Sequence, residues 1–267
     1  MSVRSTLKAY PTLLKVGLAE AVAYRAEFLV WMLTMTMPLV MLALMSAVAR
    51  EAPIGRFDQN SFVSYYLTTL IVRQMTGAWV VWELVREVRE GTLALRLLRP
   101  IHPLVGHSAD SLAAIPMRGL IVLPVAAIML LLTSGHDVTH DPWIVVMFLA
   151  SLGGAWLLNF AVSATIGTLA LFMESSMSIW ELWLGCFMIF SGYLLPLELF
   201  PPWLERFARL LPFAYLQAVP VEMLIGLHGR AEAFRALGWQ WLYAACAVAG
   251  MLLFWKRATR RFAAFGG

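Results

Sequence analysis

Residues 83–103 read ELVREVREGTLALRLLRPIHP, a charged, amphipathic stretch set between long apolar runs. Leu84, Val88, Leu95 and Leu98 fall near one helical stripe, and Arg86, Glu87, Arg89, Glu90 and Arg96 fill the remaining surface, as an amphipathic helix requires. Gly91 followed by Thr92 interrupts the pattern halfway, so the spacing predicts two short helices meeting at a bend. Pro100 and Pro103 are expected to stop the second one, just after Arg99. A polar segment placed this way offers a contact for a partner outside the apolar layer.

The flanking sequence says what that layer is. Of the 267 residues, 61% are hydrophobic and 13% charged, with a mean hydropathy of +0.75. Soluble domains have about 45–50% apolar and about 25% charged residues, so the chain reads as an all-α integral membrane protein. A spanning helix takes roughly 20 mostly apolar residues, and six runs fit: 28–49, 62–82, 112–134, 143–172, 179–195 and 237–255. Residues 1–267 thus form a single transmembrane domain. Residues 1–27, with apolar and charged positions alternating, are expected to lie on the cytoplasmic membrane surface as an interfacial helix begun by Pro11. The run from 28 starts too late and is too long for a cleaved signal peptide, although Ala47-Val48-Ala49 follows it. Cys186 and Cys246 both fall inside expected spans and read as small packing residues.

Basic residues in short loops set orientation. Arg4, Lys8, Lys15 and Arg25, then Arg86, Arg89, Arg96 and Arg99, then Lys256, Arg257, Arg260 and Arg261 share one side of a six-span chain. The other side holds Arg50, Arg56, Arg206, Arg209, Arg230 and Arg235. Both termini and residues 83–103 are therefore expected in the cytoplasm, in a multi-pass protein. The net charge of +4 reflects this bias and carries no nucleic-acid footprint.

A second unusual stretch is SGYLLPLELFPPWLERFARLLPFAYLQAVP, residues 191–220. Pro196, Pro201, Pro202, Pro212 and Pro220 divide it into pieces too short to span, and Trp203, Leu204, Phe207, Leu210 and Leu211 alternate with Glu205, Arg206 and Arg209. Two structures fit: short re-entrant helices over 196–220 that dip into the outer leaflet, or an external loop with one interfacial helix anchored by Trp203 and Tyr215.

Charged groups within spans are costly, by at least about 2.5–3.5 kcal/mol at the bilayer centre. Arg73 lies near the middle of the second span and must face the bundle interior, a cavity or a partner. Arg118 and Glu181 lie at similar depth in the third and fifth spans and could pair. Asn159, among Gly153, Gly154, Ala155 and Ala161, reads as interhelical glue. Pro38, Pro116 and Pro124 would kink their helices. Met32, Met35, Met41, Met45, Phe187, Met188 and Phe190 offer adaptable apolar surface, whether for packing or for a greasy substrate.

The order of these features resembles the permease subunits of bacterial type-2 ABC exporters. The resemblance covers essentially the whole chain and rests on EVREGTLALRLLRP after the second span and on GYLLPLELFPP after the fifth, with Gly192 and Pro196 in Gly-x-x-x-Pro. It implies a bacterial inner-membrane exporter of a lipid, glycolipid or drug-like molecule. It also implies a dimer with an identical or related permease and a coupling helix over about 91–99 that docks on cytoplasmic ABC ATPases. Glu87, Arg89, Glu90, Gly91, Thr92, Leu95, Arg96, Leu98 and Arg99 would then be the coupling residues. Gly192, Pro196, Glu198, Pro201, Pro202 and Pro212 would belong to an external gate.

The chain's own chemistry agrees with a non-catalytic subunit. A P-loop needs Gly-Lys-Ser/Thr, but glycine precedes none of Lys8, Lys15 and Lys256, so ATP and Mg are expected on the partner and no cofactor on this chain. His136, Asp137, His140 and Asp141 have a metal-like spacing, but Asp141-Pro142 favours a turn. His102 and His107 are expected at headgroup level. An ATP-independent carrier or channel would show an inverted repeat and several midplane charges. A lipid-modifying enzyme would need His, Asp or Glu clustered at one depth, whereas the five histidines fall outside the spans.

Overall fold

The computed structural model describes residues 3–23, 37–132 and 138–265, with side chains described over 8–23, 37–129 and 138–260. Residues 28–36 of the first expected span, with Met32 and Met35, lie outside these, as do Arg25, His136 and Asp137. Among the described residues the chain is helical, without strands beyond an isolated bridge between Ile54 and Phe57. The helices are α1 (Val3–Ala23), α2 (Met37–Glu51), α3 (Gln59–Thr76), α4 (Val80–Arg89), α5 (Thr92–Leu97), α6 (Pro103–Ala113), α7 (Ile115–Leu132), α8 (Pro142–Thr168), α9 (Ser176–Phe190), α10 (Pro202–Leu210), α11 (Pro212–Leu216), α12 (Ala218–Leu224) and α13 (Arg230–Phe265).

Among the described residues three stretches are long and apolar enough to cross a bilayer alone: Pro103–Met129, Pro142–Leu171 and Arg230–Arg260, with Ser176–Phe190 a shorter apolar helix. The third expected span therefore starts earlier than residue 112, running from α6 into α7 through a turn at Ala114. Pro103 begins α6 instead of stopping the preceding helix, since a proline in the first turn loses no helical hydrogen bond. Likewise Pro11 lies inside α1 rather than at its start. That helix is held to α6 by Tyr10 Oη against Ser108 Oγ (3.1 Å) and by Gly17 lying close to Asp110 and Ala113.

The bundle is organised around α8 and α3. Against α8 pack α13, α4, α12, α9 and α11. α3 is buried along most of its length, from Phe62 to Thr76, between α2, α7, α8 and α12. This explains its composition: a helix enclosed by other helices need not be apolar, and α3 carries Ser64, Thr68, Thr69, Gln74 and Thr76 in buried positions.

The second expected span is not one helix. It breaks at Gly77, whose backbone is extended (φ −63°, ψ 133°), and resumes as α4. The carbonyls freed by the break are satisfied from outside. Arg118 Nη1 donates to Gly77 O (2.7 Å) and Gln74 O (3.4 Å), and Asn159 Nδ2 donates to Thr76 O (2.9 Å). Two polar side chains of neighbouring helices thus stabilise the interruption, as backbone at this depth demands.

Candidate functional site

Contacts sort the connecting segments into two ends. At one end α4, α5 and the start of α6 meet the carboxy-terminal parts of α8 and α13, with His102 beside Trp255 and Phe172 beside Phe254. At the other, Arg56 pairs with Glu198, Asp141 with Arg230, and Thr139 N donates to Leu224 O (2.8 Å).

At the first end, Gly91 turns the chain with φ +72°, a left-handed conformation that side-chain-bearing residues adopt at a cost. The turn rotates α5 relative to α4. Leu93, 1% exposed, faces the core beside Val80, Leu84 and Leu104. Leu95 and Leu98 are 65% and 83% exposed, so they leave the stripe begun by Leu84 and Val88, contrary to the single-stripe expectation. The stripe fails at the bend because periodicity is kept only within one continuous helix.

The corner is fastened by charge. Arg96 Nε meets Glu87 Oε1 at 2.9 Å, and His107, buried in α6, holds Glu83 through Nδ1 (2.8 Å) and approaches Glu87 through Nε2 (3.4 Å). Asp110 lies 3.9 Å from Arg96. Burial would raise the Glu87 pKa, but His107 and Arg96 outweigh it and hold the carboxyl below its usual value. Glu87 and Arg96 therefore face inward as fasteners. Arg89, Glu90, Thr92, Leu95, Leu98 and Arg99 are exposed. His107 lies inside a charge cluster, where two carboxylates of α4 compensate its burial. Glu83, His107 and Asp110 are near enough to share a metal, but Arg96 already supplies a cation there.

At the second end, the chain leaving α9 turns at Gly192 with φ +83°. The Tyr65 hydroxyl of α3 donates to Gly192 O (2.6 Å), and that of Tyr66 to Leu194 O (2.8 Å). A Cβ at Gly192 would sit 2.8 Å from Tyr65 Oη and 3.0 Å from Ala218 Cβ, so the position excludes a side chain on two grounds. Pro196 precedes a 3-10 turn over Leu197–Leu199, Pro201 and Pro202 start α10, and Pro212 starts α11.

Amphipathic α10 stays at the surface with Trp203, Phe207 and Leu210 exposed, whereas α12 is buried from Ala218 to Met223. Gln217 Nε2 donates to Thr69 O (2.9 Å), ten residues into α3, about 15 Å below its start at 1.5 Å per residue. Gln240 Nε2 bonds Tyr215 O (2.6 Å) and Ser151 O (3.1 Å). Arg209 of α10 forks onto buried Glu222 of α12 at 2.9 and 3.1 Å, also meets Glu205 at 2.9 Å, and His228 reaches Glu222 at 3.2 Å. Burial pushes the Glu198 carboxyl above its usual pKa, in part offset by Arg56.

Between the ends lies Arg73, whose guanidinium stands over the rings of Phe187 (4.8 Å) and Tyr193 (6.0 Å). The expected Arg118–Glu181 pair does not form. Arg118 is buried and spent on the α3 break, while Glu181 is exposed on α9. Tyr65, Tyr66, Gln217 and Glu222 are organising residues that sequence reasoning passed over. Their signal was polarity inside apolar or proline-broken runs.

The family model of the ABC-2 family transporter proteins matches residues 28–266 of the chain. No curated protein matches it.

Proposed function

The chain belongs to the ABC-2 family of transporter proteins, and on that premise we propose that it is the permease of an ATP-driven exporter that moves a hydrophobic or amphiphilic molecule outward across a bacterial inner membrane. Two permease chains, identical or related, would assemble with cytoplasmic ABC ATPases that bind ATP and Mg. The observation that carries the proposal is the corner at Gly91: Leu95 and Leu98 point outward from a helix whose inner face is locked to the bundle by Leu93 and the Glu87–Arg96 pair. An exposed apolar pair on a rigid corner fits a groove on a partner, and the rigidity lets a push on α5 reach α4 and α6.

ATP binding would close the ATPases, and the two α5 corners would carry that motion to α3 through α4. Coupling requires that ATP favour one state over the other, because equal affinity for both shifts nothing. At the opposite end, α11 and α12, packed beside Thr69, would form the re-entrant part of the external gate.

Purification from the native host should bring down a stoichiometric ATPase. Leu95→Asp with Leu98→Asp should abolish that association while the chain still inserts, since neither side chain packs within the protomer. Gly91→Pro, or charge reversal at Glu87 and Glu90, should uncouple ATP hydrolysis from transport. Coupled transport that survives all of these changes would exclude the docking role.

A further inference from the structure

Arg73 lies fourteen residues into α3, about 21 Å from its start, and is half-buried. The rings of Phe187 and Tyr193 stabilise its positive charge but accept none of its in-plane N–H groups. Among the described residues no carboxylate pairs with it and no oxygen accepts from it. The second cation nearby worsens the imbalance: Arg118 is consumed by the carbonyls of Gln74 and Gly77, immediately past Arg73 in the chain. Two guanidinium groups therefore flank the α3 break, and one of them keeps its five donors for something else.

Resting on the exporter reading above, we infer that Arg73 binds the acidic headgroup of the transported molecule, which is an anionic amphiphile bearing a phosphate, sulfate or carboxylate. The planar fork of arginine matches an oxyanion in two-point fashion, and the aromatic shelf beneath it fixes the fork's orientation. A neutral or cationic amphiphile would leave the guanidinium without a counter-charge in a medium that penalises it.

The test is binding to the full chain in nanodiscs of zwitterionic lipid. The probes are dodecyl phosphate, dodecyltrimethylammonium of the same chain length, and inorganic phosphate. Dodecyl phosphate should bind, and the cation and free phosphate should not. Arg73→Gln should weaken dodecyl phosphate at least about tenfold, with the loss of the two-point charge-assisted contact. Arg73→Lys should fall between the two, with a melting temperature that shows the bundle intact. Unchanged dodecyl phosphate binding in Arg73→Gln, or equal binding of the anionic and cationic probes, would overturn the inference. So would free phosphate binding as well as its dodecyl ester. Loss of the dimer in both Arg73→Gln and Glu181→Gln, with probe binding intact, would assign Arg73 to an ion pair between copies and equally overturn it. Because binding needs no ATPase, an Arg73-dependent site on a chain that fails to recruit an ATPase would refute the exporter reading alone.

Discussion

At Gly192 two independent constraints meet: a φ of +83°, and a Tyr65 hydroxyl that would stand 2.8 Å from any Cβ. Gly192→Ala should therefore cost roughly 1–2 kcal/mol of backbone strain and roughly 1–3 kcal/mol of overpacking, read as a lower melting temperature of the purified chain. Tyr65→Phe should cost about 1–3 kcal/mol by leaving Gly192 O without its donor. The two changes should not add. Without the Tyr65 hydroxyl the closest obstacle is gone, so alanine at 192 should be better tolerated in the Tyr65→Phe background. An additive pair, or a Gly192→Ala chain that melts like the parent, would mean the turn relaxes freely. The Gly-x-x-x-Pro spacing made Gly192 visible in the sequence, but its partner was not. A tyrosine in an apolar run gives no sign of which carbonyl, 127 residues away, its hydroxyl will reach.

The same limit acts on whole elements. The bend at Gly91 was legible, because glycine at a break in periodicity is a local signal, and the helices found on either side are α4 and α5. Which side of α5 faces out was not legible, since a left-handed residue resets the helical phase by an angle that the pattern does not encode. The break of the second span at Gly77 was hidden for a related reason. Its stabilisers, Arg118 and Asn159, come from other helices, so the run 62–82 looked continuous. The inward pairing of Glu87 gives the α4–α5 corner a definite pH response. A carboxyl whose folded pKa is depressed contributes stability above its unfolded value, here 4.5, and loses it as pH falls through the folded pKa. Hydrogen exchange over residues 92–97, referenced to amides inside α8, should show a protected corner near neutrality that loosens below about pH 4.5. Glu87→Gln should exchange faster already at neutral pH, with a flatter pH response. Identical protection in parent and variant across that range would show that Leu93 alone holds the corner.

For the molecule as a whole, sequence and structure meet in the partition of loops. Counting Lys and Arg put residues 83–103 and both terminal regions on one side and the remaining loops on the other. Among the described residues the contacts gather part of these sets at opposite ends: α5 and the start of α6 beside the end of α13, and Arg56, Asp141 and Glu198 around α10 to α12. The agreement has a physical basis, since each helical pass reverses the chain and carries its loop to the other end, so charge bias and connectivity report the same alternation. If the basic end faces the cytoplasm, two exposed positions should label from opposite faces of the membrane. With Cys186 and Cys246 replaced by serine, Trp203→Cys should react with an impermeant maleimide in intact spheroplasts, and Leu98→Cys only in inverted vesicles. Stripping peripheral proteins from those vesicles should raise labelling at 98 and leave 203 unchanged, because only the α5 corner is expected to be covered by an ATPase. Labelling of both positions from one face would contradict the two-ended arrangement. Labelling with the faces exchanged would keep the fold but invert the protein, placing the Leu95–Leu98 surface where no ATPase could reach it.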